Sequence, residues 1–259
     1  MMMLSKSMAV VVSAASMALA KTPSGFEPAS NSDLIVEFSN LAALNGAVVS
    51  KEASAKQPQI GTTTRLTGTS FAVIMVDLDI PTTNPPATNT LLHWMQTGLT
   101  PALTATSLNT TSGRQSVFLL ENQGNTPALA PYIGPSPPAR VPLSHRYTQI
   151  LVDTSGVNTE ATNALQMAAM NRQGFNAQRV LQQAGLQDKV VAGNFFVVTN
   201  PGPAQTGGSS DNATSVATGT SSLSGPSGTA VTISGSDSIS RPHVAVFGLV
   251  VAGVLYVGF

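Results

Sequence analysis

The chain contains no cysteine. Disulfides and thiolate metal sites are therefore both excluded, and any fold must hold by packing alone. Charge is almost as scarce: charged residues make up 9% of the sequence, with 12 Lys plus Arg against 12 Asp plus Glu and no basic cluster. That leaves no electrostatic footprint for nucleic acid, and a surface covered by hydroxyls and sugar is expected instead. Catalytic signatures are missing too: there is no G-x-S-x-G elbow, H-E-x-x-H helix or P-loop, so no motif calls for catalysis, a metal or a cofactor. Only three histidines and one tryptophan are present. No internal repeat is visible.

What is present is organised from the two ends inward. Residues 1–20 carry a basic start at Lys6, an apolar run over 8–19 and the small-x-small triplet Ala18-Leu19-Ala20, the layout of a secretory signal peptide cleaved before Lys21. Residues 244–259 form an uncharged apolar run preceded by a polar spacer and by the small residues Ser234-Gly235-Ser236. This layout predicts a glycosylphosphatidylinositol (GPI) attachment signal over 235–259 with Ser234 as the attachment site, Gly228 being the alternative. A terminal membrane helix is the competing reading, although about 20 residues are normally needed to span a bilayer. The segment 201–234 is rich in Ser, Thr, Gly and Pro and reads as a disordered, glycosylated stalk. Glycosylation sequons begin at Asn109 and Asn212. The expected protein is secreted and held at the cell surface.

Residues 26–200 then form one domain, large enough to bury its own core. Period-two alternation predicts strands over 33–38, 71–80, 116–120, 146–152 and 194–198. A helix is predicted over 176–184, capped by Asn176, stapled by Phe175 to Val180 and ended by Gly185; a looser one runs over 161–170. Many short strands followed by a little helix predict a mainly β fold, an antiparallel β-sandwich with helices toward the C-terminus.

In the segment 71–80, alternation places Phe71, Val73, Met75, Asp77 and Asp79 on one face and Ala72, Ile74, Val76, Leu78 and Ile80 on the other. Both faces are apolar up to Val76, so an interior strand delivers two carboxylates at its end. Buried carboxylates need partners; an Asp that caps its own turn is the bland reading. His93 stands beside the sole tryptophan, Trp94. His145 opens His145-Arg146-Tyr147, where a strand puts His145 and Tyr147 on one face and Arg146 on the other. The loop Tyr132-Ile133-Gly134-Pro135-Ser136-Pro137-Pro138 is stiffened by prolines, leaving the Gly134 and Ser136 amides as fixed donors. A metal or acid–base group built from Asp77, Asp79, His93 and His145 is the enzymatic alternative.

Taken in order, Asp77-Leu78-Asp79-Ile80-Pro81, His93-Trp94, Tyr132-x-Gly134-Pro135-x-Pro137-Pro138 and His145-Arg146-Tyr147 resemble the phosphatidylethanolamine-binding protein family, over about residues 30–198. The whole chain resembles a secreted, GPI-anchored, fungal-type member. The resemblance implies a β-sandwich whose surface cavity holds a phospholipid head group, phosphate or similar small anion, lined by Asp77, Asp79, His93, Gly134, Ser136, Pro137, His145 and Tyr147. An Asp beside a His would favour the imidazolium, a charged donor toward an anion. It also implies a second possibility, inhibition of a secreted or vacuolar serine protease of the carboxypeptidase type. Three departures from the family pattern stand out: Leu78 where proline is usual, no arginine just beyond Pro81, and no glycine before His145.

Overall fold

The structure, a computed structural model, describes residues 21–110 and 113–202. The expected signal peptide, the stalk beyond residue 202, the attachment region with Gly228 and Ser234, and the sequon at Asn212 lie outside the described residues. Among the described residues no helix is long and apolar enough to cross a membrane.

Ten strands follow one another: β1 (Ile35–Phe38), β2 (Leu41–Ala42), β3 (Ala47–Val48), β4 (Gln59–Thr62), β5 (Phe71–Pro81), β6 (Thr88–Pro101), β7 (Thr106–Thr110), β8 (Gly113–Glu121), β9 (Ser144–Asp153) and β10 (Val190–Thr199). Helices α1 (Thr159–Met170) and α2 (Ala177–Gln183) lie between the last two. The strands run in the order β2-β1-β4-β8-β6-β5-β9-β10-β3, with β7 paired to β8. Every pairing is antiparallel except that of β3 with β10.

The two-faced apolar pattern of β5 decides where the core sits. Phe71, Val73 and Met75 enter one cluster, shared with Ile35 and Phe38 of β1, Val117 of β8, Tyr147 of β9 and Phe196 of β10. Ile74 and Val76 enter a second cluster, beneath Leu165 of α1 and Val180 and Leu181 of α2. One strand thus serves two cores, and each large side chain it buries contributes roughly 1.5–3 kcal/mol. The predicted mainly β fold, sandwiched with helices late in the chain, is what forms.

Local signals hold at the helices. Asn176 accepts from the Arg179 amide at 2.8 Å, and Asn158 accepts from the Ala161 amide in the same way. Phe175 and Val180 share the second cluster, and Gly185 ends α2 in the left-handed region at φ +66°. Ordered packing begins earlier than residue 26: the Lys21 amide donates to the Ser30 carbonyl at 2.6 Å, and Thr22 is buried. The long strand β6 was not predicted. It contains Gly98 at φ +71°, and its pairing with β5 shifts register three times, which erases the alternation that strand reading relies on.

Candidate functional site

Two of those register shifts build the site. Met75 pairs with Trp94 and the next residue, Val76, pairs with Leu92, so His93 is the extra residue of a bulge in β6. A bulge re-aims side chains that alternation would separate, and the His93 ring meets Tyr147 edge-on with centroids 5.1 Å apart. Farther along, Asp77 pairs with Leu91 but Ile80 with Asn89, which places a second bulge in β5 around Leu78 and Asp79.

That second bulge sends the two carboxylates to different partners. Asp77 Oδ2 accepts from His145 Nδ1 at 2.8 Å, and Asp77 Oδ1 accepts from the Asp79 amide at 2.8 Å. Asp77 therefore both pairs with a histidine and caps its own turn. Asp79 was expected beside Asp77 in the cavity. It is instead held by Arg146, whose Nε and Nη2 donate to it at 2.9 and 2.8 Å, and whose backbone amide donates at 2.8 Å. Burial opposes ionisation of Asp79, but these bonds and the guanidinium charge hold its pKa below the ordinary 3.8. The pair lines a separate cleft of about 270 Å³ with Pro85, Pro86, Val141 and Pro142.

Around Asp77 the remaining expected side chains do converge. His93 Nε2 stands 3.9 Å from Asp77 Oδ2, too far for a hydrogen bond. His145, Tyr147 and Phe196 form a stacked column, with centroid spacings of 6.4 and 5.5 Å. The Tyr147 hydroxyl lies beside the Asp77 carboxylate and the Ser136 amide without a formed hydrogen bond, and His145 Nε2 also has no partner. Unpartnered buried polar atoms are rare in native folds. Burial, then Asp77, pushes the Tyr147 hydroxyl well above its ordinary 10, so it stays protonated and able to donate.

The resemblance implied a surface cavity, but this cluster is sealed: relative exposure is 1% for Asp77, 4% for His93 and 0% for His145 and Tyr147. The loop 131–138 lies against the cluster: the Ile133 carbonyl accepts from His93 at 2.7 Å, the Ser136 amide lies beside the Tyr147 hydroxyl, and Pro135 and Pro137 are buried while Ser136 is exposed. Partners from distant segments pin it. Arg172 Nη2 donates to the Pro131 carbonyl at 2.8 Å, the Tyr132 hydroxyl to the Ser54 carbonyl at 2.7 Å, and Asn200 Nδ2 to the Pro137 carbonyl at 2.8 Å. Gly134 serves the close approach, since a Cβ there would stand 2.9 Å from the Ala55 carbonyl oxygen. Arg172, Ser54 and Asn200 carry no signal in their local sequence that would have found them.

Burial also decides the charge on His93. Desolvation pulls its pKa below the ordinary 6.5, with Arg172 and His145 adding to it and the Ile133 carbonyl and Asp77 opposing it. The ring is neutral near pH 7, because loss of water outweighs the Asp77 carboxylate 3.9 Å away. No group of three or more His, Asp or Glu among the described residues is arranged to hold a metal ion. Asn109, at the start of the other sequon, is exposed on β7.

A family model described as phosphatidylethanolamine-binding protein matches residues 35–196, a span that includes every side chain of the cluster. Among curated sequences, phomoidride biosynthesis cluster protein N of Talaromyces stipitatus is 28% identical over 203 residues, covering 73% of this chain and 94% of that protein. Among solved structures, a phosphatidylethanolamine-binding protein from Plasmodium vivax is 19% identical with a TM-score of 0.49, covering 68% of this chain and 91% of that one. A carboxypeptidase Y inhibitor complexed with its cognate proteinase is 19% identical with a TM-score of 0.45, covering 65% and 83% respectively.

Proposed function

Since the chain belongs to the phosphatidylethanolamine-binding protein family, we propose that it is a non-enzymatic binding protein that holds a phosphate, a phospholipid head group or a similar small anion. One observation carries the reading. Asp77, His93, His145 and Tyr147 converge under one loop, and two of their buried polar atoms, His145 Nε2 and the Tyr147 hydroxyl, have no partner within the protein. A ligand beneath a lifted loop 131–138 would supply those partners, with the Ser136 amide as a further donor. Titration calorimetry with phosphate and phosphoethanolamine tests it. Binding is expected to disappear in Asp77→Ala and in His145→Ala, each verified as folded by circular dichroism, and unchanged affinity in both would refute the assignment.

From the ends of the sequence we place the domain outside the cell, carried on its stalk by a GPI anchor; its release from cells by a phosphatidylinositol-specific phospholipase is the corresponding test, and retention would count against the anchor. A second reading, inhibition of a serine carboxypeptidase, is favoured by exposure. Val141 and Leu143, on the approach to His145, are 72% and 37% exposed while the cluster is sealed. A protease would then dock on the outer segment, and His145→Ala would still inhibit. Loss of inhibition in that variant would tie both activities to the cluster.

A further inference from the structure

Hydrogen-bond polarity at the cluster is set against a fully ionised anion. His93 Nδ1 lies 2.7 Å from the Ile133 carbonyl oxygen. A carbonyl only accepts, so the ring hydrogen is committed there and Nε2 of the neutral ring is a lone pair. That lone pair faces the carboxylate of Asp77 across 3.9 Å. His145 spends Nδ1 on the same carboxylate oxygen, leaving Nε2 unpartnered.

The groups around His93 come from four elements. They are Asp77 from β5, His145 and Tyr147 from β9, Arg172 after α1, whose Nη1 donates to the His93 carbonyl at 3.3 Å, and the loop 131–138 with Tyr132 and Ser136. Arg172 is occupied by the carbonyls of Leu92, His93 and Pro131. Beside the unpartnered His145 Nε2, the donors left for an oxyanion are therefore the Tyr147 hydroxyl and the Ser136 amide, set against a carboxylate and the His93 lone pair.

We infer that the site takes its oxyanion together with a proton, carried either on the Nε2 of a ring of the histidine pair, His93 or His145, or on an oxygen of the ligand itself. In either place one hydrogen turns the contact between ring and ligand from two facing lone pairs into a donor–acceptor pair. Burial keeps His93 neutral near pH 7, so the proton arrives with the ligand or is drawn from solvent at binding. The inference rests on the anion-binding reading and adds its ligand form: a monoprotonated oxyacid, or an anion whose binding consumes a proton.

The test is calorimetry on the full-length protein with sulfate, phosphoethanolamine and glycerophosphoethanolamine, each in two buffers of different ionisation enthalpy over about pH 5.5–8. Uptake of about one proton per bound anion is expected, with affinity falling roughly tenfold per pH unit on the alkaline side. Sulfate and the phosphodiester do not titrate in this range, so uptake with them places the proton on an imidazole, and its loss in His93→Gln assigns it to His93 rather than His145. If His93 carries it, His93→Gln binds sulfate with equal heats in both buffers; persistent uptake in that variant assigns the proton to His145. Binding with uptake by phosphoethanolamine, a monoester whose second pKa is about 6, and no binding by the other two places the proton on the ligand and favours a free phosphate monoester over a lipid head group. Binding with constant affinity across the range and equal heats in both buffers would overturn the inference and leave the anion site standing. Absence of binding by all three ligands at every pH would overturn the site and the inference with it.

Discussion

Replacing Asp77 by Asn separates its two roles. Asp77 is 1% exposed and makes two bonds of 2.8 Å, from the Asp79 amide to Oδ1 and from His145 Nδ1 to Oδ2. Asparagine has one acceptor oxygen, so it keeps the turn or keeps the histidine, but not both. If it keeps the turn, its NH₂ opposes the Nδ1 hydrogen of a ring that is fully buried, and the ring loses its hydrogen bond to the carboxylate. Leaving a buried donor unsatisfied costs about 1–3 kcal/mol, and breaking a buried ion pair about 3–5 kcal/mol. The smaller figure is the floor, because the Asn amide leaves one donor facing another. Asp77→Asn is thus expected to lower unfolding stability by about 2 kcal/mol in urea titrations followed by circular dichroism. In a His145→Ala background the same substitution should cost only a few tenths, a coupling of about 1.5 kcal/mol. If Asp77 were only a turn cap, Asn would serve as well and the two effects would add; coupling below about 0.5 kcal/mol would refute the pairing argument.

Two further outcomes follow from the same geometry. Asn200→Ala removes the 2.8 Å bond to the Pro137 carbonyl, worth about 1 kcal/mol to the closed loop; if the loop must lift for binding, phosphate affinity should rise about fivefold, and an unchanged or weaker affinity would show that the latch does not oppose entry. Asp79 has its pKa depressed in the folded state, so its contribution is present above the ordinary 3.8 and is lost as pH falls through the folded value. The Arg146 side chain is 42% exposed, which keeps the pair to about 1 kcal/mol or less. Arg146→Gln should therefore be less stable than the parent at about pH 6 and converge with it once pH falls below the folded pKa of Asp79, and a gap that persists in stronger acid would assign the loss to packing.

Much of the fold was legible where sequence periodicity and structure obey the same rule. The segment 71–80 alternates apolar residues on both faces, and β5 has a core on each. Asn176 and Gly185 mark the ends of α2 as their chemistry requires. Legibility fails where the backbone departs from a fixed period. The three register shifts against β6 hide a fourteen-residue strand, and β2 and β3 are two residues each, too short to carry a pattern. At the site, Asp77, His93, His145 and Tyr147 were recognisable by motif and do come together. Asp79 was misplaced because a bulge in β5 breaks the alternation that put it beside Asp77.

Distance from water is the property that no motif displays, and here it decides the chemistry. An imidazole beside a carboxylate gains charge if both are wetted, because the pair then pays little desolvation. Under a loop held by Arg172, Ser54 and Asn200 that water is lost, and His93, 3.9 Å from the carboxylate, stays neutral. Those three partners lie outside the motifs that carry the site residues. The loop sequence specifies a stiff cover, but only the tertiary contacts specify that it is shut. Once shut, the bulge at His93 matters as much as the residue itself: it brings the ring edge-on to Tyr147 while its Nδ1 reaches the Ile133 carbonyl of the cover. The cover thereby fixes the tautomer of the ring it hides. Lifting it would release that hydrogen bond and readmit water in one movement, so access to the site and the protonation of His93 are governed by the same loop.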